Sequence, residues 1–161
     1  MRNLIHPAEV VGIARHSKSR APIEELSTAL ITLESGVEGD CHGEPGPSQI
    51  TVVAEESWKA ATAELGCDLS WTLRRANLLI RGIDLFNRTG MLLHIGETVL
   101  EITGENEPCW LMDKQHRGLR KALTPQWRAG VACRVVKGGP VKIGDRAKLV
   151  EREVPSQSEE K

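Results

Sequence analysis

The stretch Leu92-Leu93-His94-Ile95-Gly96-Glu97-Thr98-Val99-Leu100-Glu101-Ile102-Thr103 sets the fold class. Two short apolar runs, 92–95 and 99–103, flank a turn carrying Gly96. Glycine reaches positive φ at no steric cost, which tight hairpin turns demand. The segment therefore reads as an antiparallel hairpin. Its form recurs at Ile143-Gly144-Asp145, again between short apolar runs. Working outward, 10–15, 29–33, 78–81, 131–136 and 147–150 also read as strands. So does 49–54, where Ile50, Thr51, Val52 and Val53 follow in succession. The period then changes. Ala54, Trp58, Ala61 and Leu65 fall at i, i+4, i+7 and i+11, with Glu55, Glu56, Lys59 and Glu64 off that stripe. This predicts an amphipathic helix stopped by Gly66. A helical turn is predicted at 70–75 and a short helix at 114–123, with Leu119, Ala122 and Leu123 on one face and Arg117, Arg120 and Lys121 on another. Many short strands with two or three short helices predict a mostly β (α+β) barrel.

Composition narrows the function. The chain has 161 residues, with Lys plus Arg at 21 against Asp plus Glu at 22, so the net charge is −1. That balance lacks the excess positive charge that drives nonspecific nucleic-acid binding. Four Trp, one Phe and no Tyr make a poor base-stacking platform. No apolar run reaches the roughly 18 residues of a membrane span. The opening MRNLIHPAEVV has no apolar signal core, so the expected location is cytoplasmic, with no membrane and no nucleic acid as partner. One domain is expected over 1–150, followed by a polar, disordered tail over 151–161. Cys41, Cys67, Cys109 and Cys133 are irregularly spaced, without a C-x-x-C pair, and read as thiols.

Cys109 is the leading candidate for chemistry. It follows Pro108, and proline favours the first position of a helix. A helix start there, with Lys114, Arg117, Arg120 and Lys121 nearby, would favour the ionised thiol, while Glu105 and Glu107 would oppose it. The alternative is a structural thiol. Cys133 alternates in phase with Val131 and Val135 and reads as core. Cys67 follows the helix-ending Gly66. Gly36-Val37-Glu38-Gly39-Asp40-Cys41-His42-Gly43 has three readings: a plain turn, a nest of N–H groups for an anion, or metal ligands at Asp40, Cys41 and His42. Adjacent residues, however, rarely converge on one ion unaided. Arg74 and Arg75 precede a strand and could clamp a phosphate or form a solvated corner. Lys18 and Ser19 close the first strand and are either phosphate ligands or ordinary loop residues.

Taken in order, five runs resemble the MOSC domain, found at the C-terminus of molybdenum cofactor sulfurases and alone in small bacterial proteins. They are GVEGDCHG (36–43), RRANLLIRGIDL (74–85), IGETVLEITG (95–104), EPCWLMD (107–113) and GVACRVVKGGPVKIGD (130–145). The resemblance implies a β-barrel-type fold with a cleft for molybdenum cofactor (molybdopterin). It places the family's hallmark cysteine at Cys109, as molybdenum ligand or sulfur carrier. It implies cofactor contacts from Lys18, Ser19, Asp40, His42, Arg74, Arg75, Asn77 and Arg134. Three functions follow as expectations. The first is the cofactor-bearing component of a reductase acting on N-hydroxylated substrates, with electrons from a separate protein. The second is a carrier holding persulfide on Cys109, loaded by a sulfur donor. The third is a non-enzymatic anion-binding module. The loop departs from the usual G-D-R-H by having Cys41 in place of the arginine.

Overall fold

The computed structural model describes residues 7–152. His6, and the tail beyond Arg152, lie outside the described residues. The opening hairpin forms as read. Strands β7 (Leu92–Ile95) and β8 (Thr98–Glu105) pair antiparallel from Leu92 opposite Glu101 to Ile95 opposite Thr98. The other strands are β1 (Glu9–Arg15), β2 (Glu24–Leu26), β3 (Thr28–Thr32), β4 (Gly36–Val37), β5 (Ile50–Ala54), β6 (Leu78–Arg81), β9 (Val131–Lys137), β10 (Gly139–Lys142) and β11 (Ala147–Val150). Eight of them form one sheet in the order β11-β7-β8-β9-β5-β6-β1-β2, and β10-β3-β4 form a second. Among the described residues the single parallel pair is β5 with β6, joined by helix α1 (Glu55–Leu65) and a 3-10 turn at Trp71–Arg74.

The molecule is mostly β, as expected, but the large sheet is not closed into a barrel. It curls until its far strand nearly returns to β1. Val10 N–H donates to the Asp145 carbonyl at 2.9 Å, Gly144 N–H to the Val10 carbonyl at 2.8 Å, and Ala147 N–H to the Ala8 carbonyl at 3.0 Å. These bonds amount to an isolated bridge, Glu9 with Arg146, and among the described residues no ladder seals the seam. The second turn of the Ile-Gly-Asp form is not a hairpin. Strand β10 leaves the large sheet to pair with β3, so 143–145 is a corner between sheets.

Two apolar clusters follow from this curl. Inside it, Ile13, Ile50, Leu78, Ile80, Leu93, Leu100, Ile102 and Cys133 are fully or almost fully buried. On the outer side of β5 and β6, Val53 and Leu79 pack with Trp58 and Ala61 of α1. Helix α1 ends as read, with Gly66 in the left-handed region at φ 68° and a Schellman pair from Gly66 and Cys67 N–H to the Ala63 and Thr62 carbonyls. The helix expected over 114–123 is broken in two: α2 (Trp110–Gln115) and α3 (Leu119–Leu123). His116 is extended and Gly118 left-handed at φ 88°, which turns α3 so that Leu119, Ala122 and Leu123 are buried in the α1 cluster. Among the described residues, no helix is long and apolar enough to cross a membrane.

Candidate functional site

A cleft of about 740 Å³ opens where β1 ends and β5 and β6 begin, walled by the β4–β5 and β8–α2 connections. Cys109, His16, Asp40, His42, Arg75, Asn77 and Asn106 line it. An adjoining recess of about 220 Å³ adds Ser19, Arg20, Arg74 and Met112.

Asn77 ties the strand ends together. Its Oδ1 accepts from Thr51 N–H at 3.0 Å, its backbone N–H donates to the Thr51 carbonyl at 3.0 Å, and its Nδ2 donates to the Ala14 carbonyl at 3.2 Å. With three strands pinned by one buried amide, the cleft floor cannot splay without orphaning buried polar groups. Gln49 does the same for the wall. Strand β5 stops pairing with β9 at Ile50 opposite Cys133, and the Gln49 Oε1 takes over as acceptor for Val135 N–H at 3.0 Å. Its Nε2 donates to the Leu33 and Gly43 carbonyls at 2.8 and 3.1 Å, anchoring the 38–48 loop. Gly43 packs so tightly that a Cβ there would lie 1.6 Å from the Ser35 carbonyl oxygen.

Within that loop Asp40 is the organiser. Its Oδ1 accepts from His16 N–H at 3.0 Å and its Oδ2 from His42 N–H at 3.2 Å. His16 Nδ1 also lies 3.1 Å from Asp40 Oδ1. That approach is out of line for a hydrogen bond, and this buried nitrogen has none. We read the contact as electrostatic proximity, since direction as well as distance defines a hydrogen bond. Burial raises the Asp40 carboxyl, but the adjoining His16 ring, with the His16 and His42 backbone N–H donors, outweighs it and holds the group below its ordinary range. Next to it, burial and then the Asp40 charge push the Cys41 thiol up.

Arg74 and Arg75 do not form one clamp. Arg75 takes a left-handed φ of 62° at the end of the 3-10 turn and donates to the Ala21 carbonyl at 2.7 Å. Arg74 is 6% exposed and donates to the Ala129 and Asn106 carbonyls at 2.7 and 2.9 Å. No carboxylate pairs with it among the described residues, so it is a buried cation without a counter-ion. Burial pulls its guanidinium down to about 10, with the neighbouring Cys109 side chain a smaller, opposing influence.

Cys109 itself is exposed at the rim. Helix α2 begins two residues later than Pro108 suggested, at Trp110, so Cys109 is its extended N-cap, at φ −110° and ψ 177°. Its carbonyl accepts from Met112 N–H at 3.0 Å. Arg120 and Lys121 belong to the separate α3.

The fold thus brings Cys109, Asp40, His42, Arg74, Arg75, Asn77 and Ser19 together. Lys18 is exposed in the loop after β1, and only its neighbour Ser19 lines the recess. Arg134 is not with them. It stands exposed on β9, paired with Glu101, because alternation along the strand turns it away from the buried Cys133 and Val135. Sequence reading missed His16, Gln49 and Asn106. A histidine ending a strand was the available signal for His16, but its partner Asp40 is 24 residues away.

Comparison with known proteins agrees with this architecture. The MOSC domain matches over residues 38–148. The fold is similar to YuaD from Bacillus subtilis, with a TM-score of 0.79 at 18% identity, covering 92% of this chain and 98% of that one. It is also similar to YiiM from Geobacillus stearothermophilus, with a TM-score of 0.71 at 17% identity, covering 91% and 76%. YiiM from Escherichia coli gives 0.67 at 16%, covering 91% and 72%. No curated protein shows a significant match. The 38–148 match runs from the Asp40 loop through Cys109 to β11, so the chain belongs to the MOSC domain family, which is associated with molybdenum cofactor binding.

Proposed function

We propose that the cleft binds the molybdenum cofactor, with Cys109 as the thiolate ligand of the metal. On this reading the chain is the cofactor-bearing component of a reductase acting on N-hydroxylated substrates. The observation that carries the proposal is the Arg74 guanidinium, buried beside Cys109 without a carboxylate partner. A buried charge without a partner is costly, and an anionic ligand placed next to it offsets that cost. The donor set fits the group: a soft thiolate for the metal, with Arg74 and Arg75 for negative charge and His42, Asn106 and Ser19 for polar edges. When bound, the cofactor would supply two-electron reduction coupled to removal of the substrate's N-hydroxyl oxygen as water.

The chain's own residues have separate tasks. Arg74, fixed by the Ala129 and Asn106 carbonyls, holds positive charge next to Cys109, where an anionic ligand would sit. Asp40 fixes His16 and His42 along the opposite wall. Asn77 keeps the three strand ends in register beneath them. Two electrons and two protons enter for each amine and water formed, the electrons from a separate carrier protein.

The exposure of Cys109 also supports a second reading, a sulfur carrier. Its thiolate would take a sulfane sulfur from a donor persulfide, leaving the donor as a thiolate. Molybdenum and pterin content after expression in a cofactor-making host tests the first reading. Stoichiometric loading that is lost in Cys109→Ser and weakened in Arg74→Met is expected. Loading unaffected by Cys109→Ser overturns it. A reductant-removable gain of one sulfur atom on Cys109, with no molybdenum, transfers support to the second.

A further inference from the structure

The sequence left Asp40, Cys41 and His42 as possible metal ligands, with the difficulty that neighbours rarely point together. The fold resolves that difficulty by bringing in a residue from another strand end. His16, Cys41 and His42 each present a ligand atom, and the three atoms lie within 4.8 Å of one another. The two imidazole rings stand 5.1 Å apart, centre to centre. Cys41 N–H donates to the His16 carbonyl at 2.9 Å, which fixes the loop against the end of β1.

We propose that His16, Cys41 and His42 form a binding site for a borderline-soft transition-metal cation of the zinc class. The proposal goes beyond the cofactor reading and does not rest on it, although both His residues also line the cleft. Two imidazoles and one thiolate suit such an ion. Tetrahedral zinc, with bonds of about 2.0–2.3 Å, places its ligand atoms roughly 3.5 Å apart, so no pair in the trio need close by more than about 1.3 Å. Cys41 is half-buried and His42 exposed, which leaves both side chains room to do so.

A second observation supports the site. His16 Nδ1 is buried, faces Asp40 Oδ1 at 3.1 Å and makes no hydrogen bond. A ring with one nitrogen toward a carboxylate and the other toward a metal is the usual outer-shell arrangement of metal-bound histidine. Metal ligation by Nε2 would draw the ring into line and turn the idle Nδ1–H into a donor to Asp40. The Asp40 carboxylate supplies negative charge beside the three ligands, and Arg75 opposes it from the cleft side. Binding exchanges the Cys41 S–H bond for a metal–sulfur bond and releases that proton to solvent. Three protein ligands leave a fourth position for water or a ligand in the cleft.

The test uses purified full-length chain, stripped of metal by chelator and kept reduced. Zinc affinity is measured by competition with a chromophoric chelator, and cobalt(II) reports the ligand set. Expected are one ion per chain, a thiolate-to-cobalt charge-transfer band and release of one proton. Cys41→Ser should abolish the band. It should also weaken zinc by more than the roughly 10–100-fold that loss of an outer-shell partner costs. His42→Ala, a change at an exposed position, should weaken zinc comparably without unfolding the chain. Cys109→Ser should change neither readout, which separates this result from any failure of the cofactor reading. Absence of the charge-transfer band, or zinc affinity that survives Cys41→Ser, overturns the proposal.

Discussion

Gln49→Leu tests the idea that one buried amide replaces a missing strand pair. Its Oε1 accepts from Val135 N–H, which β5 no longer reaches, and its Nε2 donates to the Leu33 and Gly43 carbonyls. Leucine has similar bulk but offers neither donor nor acceptor. Val135 is 3% exposed and Gly43 is buried, so neither group finds water without local opening. Leu33 is 51% exposed, and its carbonyl can be rehydrated. Two orphaned buried groups at about 1–3 kcal/mol each predict a loss of about 2–5 kcal/mol, after a small gain from leucine's apolar burial. Urea unfolding followed by fluorescence of Trp58, which is 4% exposed, measures it. Gln49→Glu sharpens the test. It keeps the acceptor for Val135 but sets a carboxylate against two carbonyls. Its folded-state pKa should therefore lie above the unfolded value, so this variant should regain stability as pH falls through the folded value. A loss in Gln49→Leu below about 0.5 kcal/mol, the range of ordinary surface changes, would refute the reasoning.

Gly130→Ala should cost more than about 1 kcal/mol and lower the melting temperature, because a methyl there meets both strain and clash. Gly130 has φ +103°, and a Cβ would lie 2.2 Å from the Val52 carbonyl oxygen. The Asp40 carboxyl sits below its ordinary range in the fold, so its stabilising contribution is complete above about pH 4 and disappears as pH drops through the lower folded value. Asp40→Asn should therefore be less stable at neutral pH and show a shallower acid decline in urea midpoints. Cys133 is fully buried and its thiol is pushed up by burial, so its alkylation should track global unfolding, whereas exposed Cys109 should label in the native state. Residue-resolved mass spectrometry after graded denaturant checks this, and native labelling of Cys133 would contradict the assigned core.

Local pattern was enough for much of this molecule. Period-2 alternation marked β9 and put Cys133 and Val135 inside. The 3.6-residue period and Gly66 fixed α1 and its end. The stripe of Leu119, Ala122 and Leu123 was visible even though the helix carrying it was drawn too long. Such patterns are legible because solvent imposes them residue by residue on each element's own faces. Pairing over long sequence separations was not legible. Strand β10 adds to β3 instead of continuing the large sheet, and the sheet curls without a closing ladder. Arg74 and Arg134 look alike as arginines beside strands, yet one is buried without a counter-ion and the other is paired in solvent. The tertiary fold alone set His16 beside Cys41 and His42, and Gln49 against Val135. The sequence by itself determined which side chains had to leave water. The tertiary structure decided which polar groups were buried along with them, because each of those had to find its partner on a distant segment.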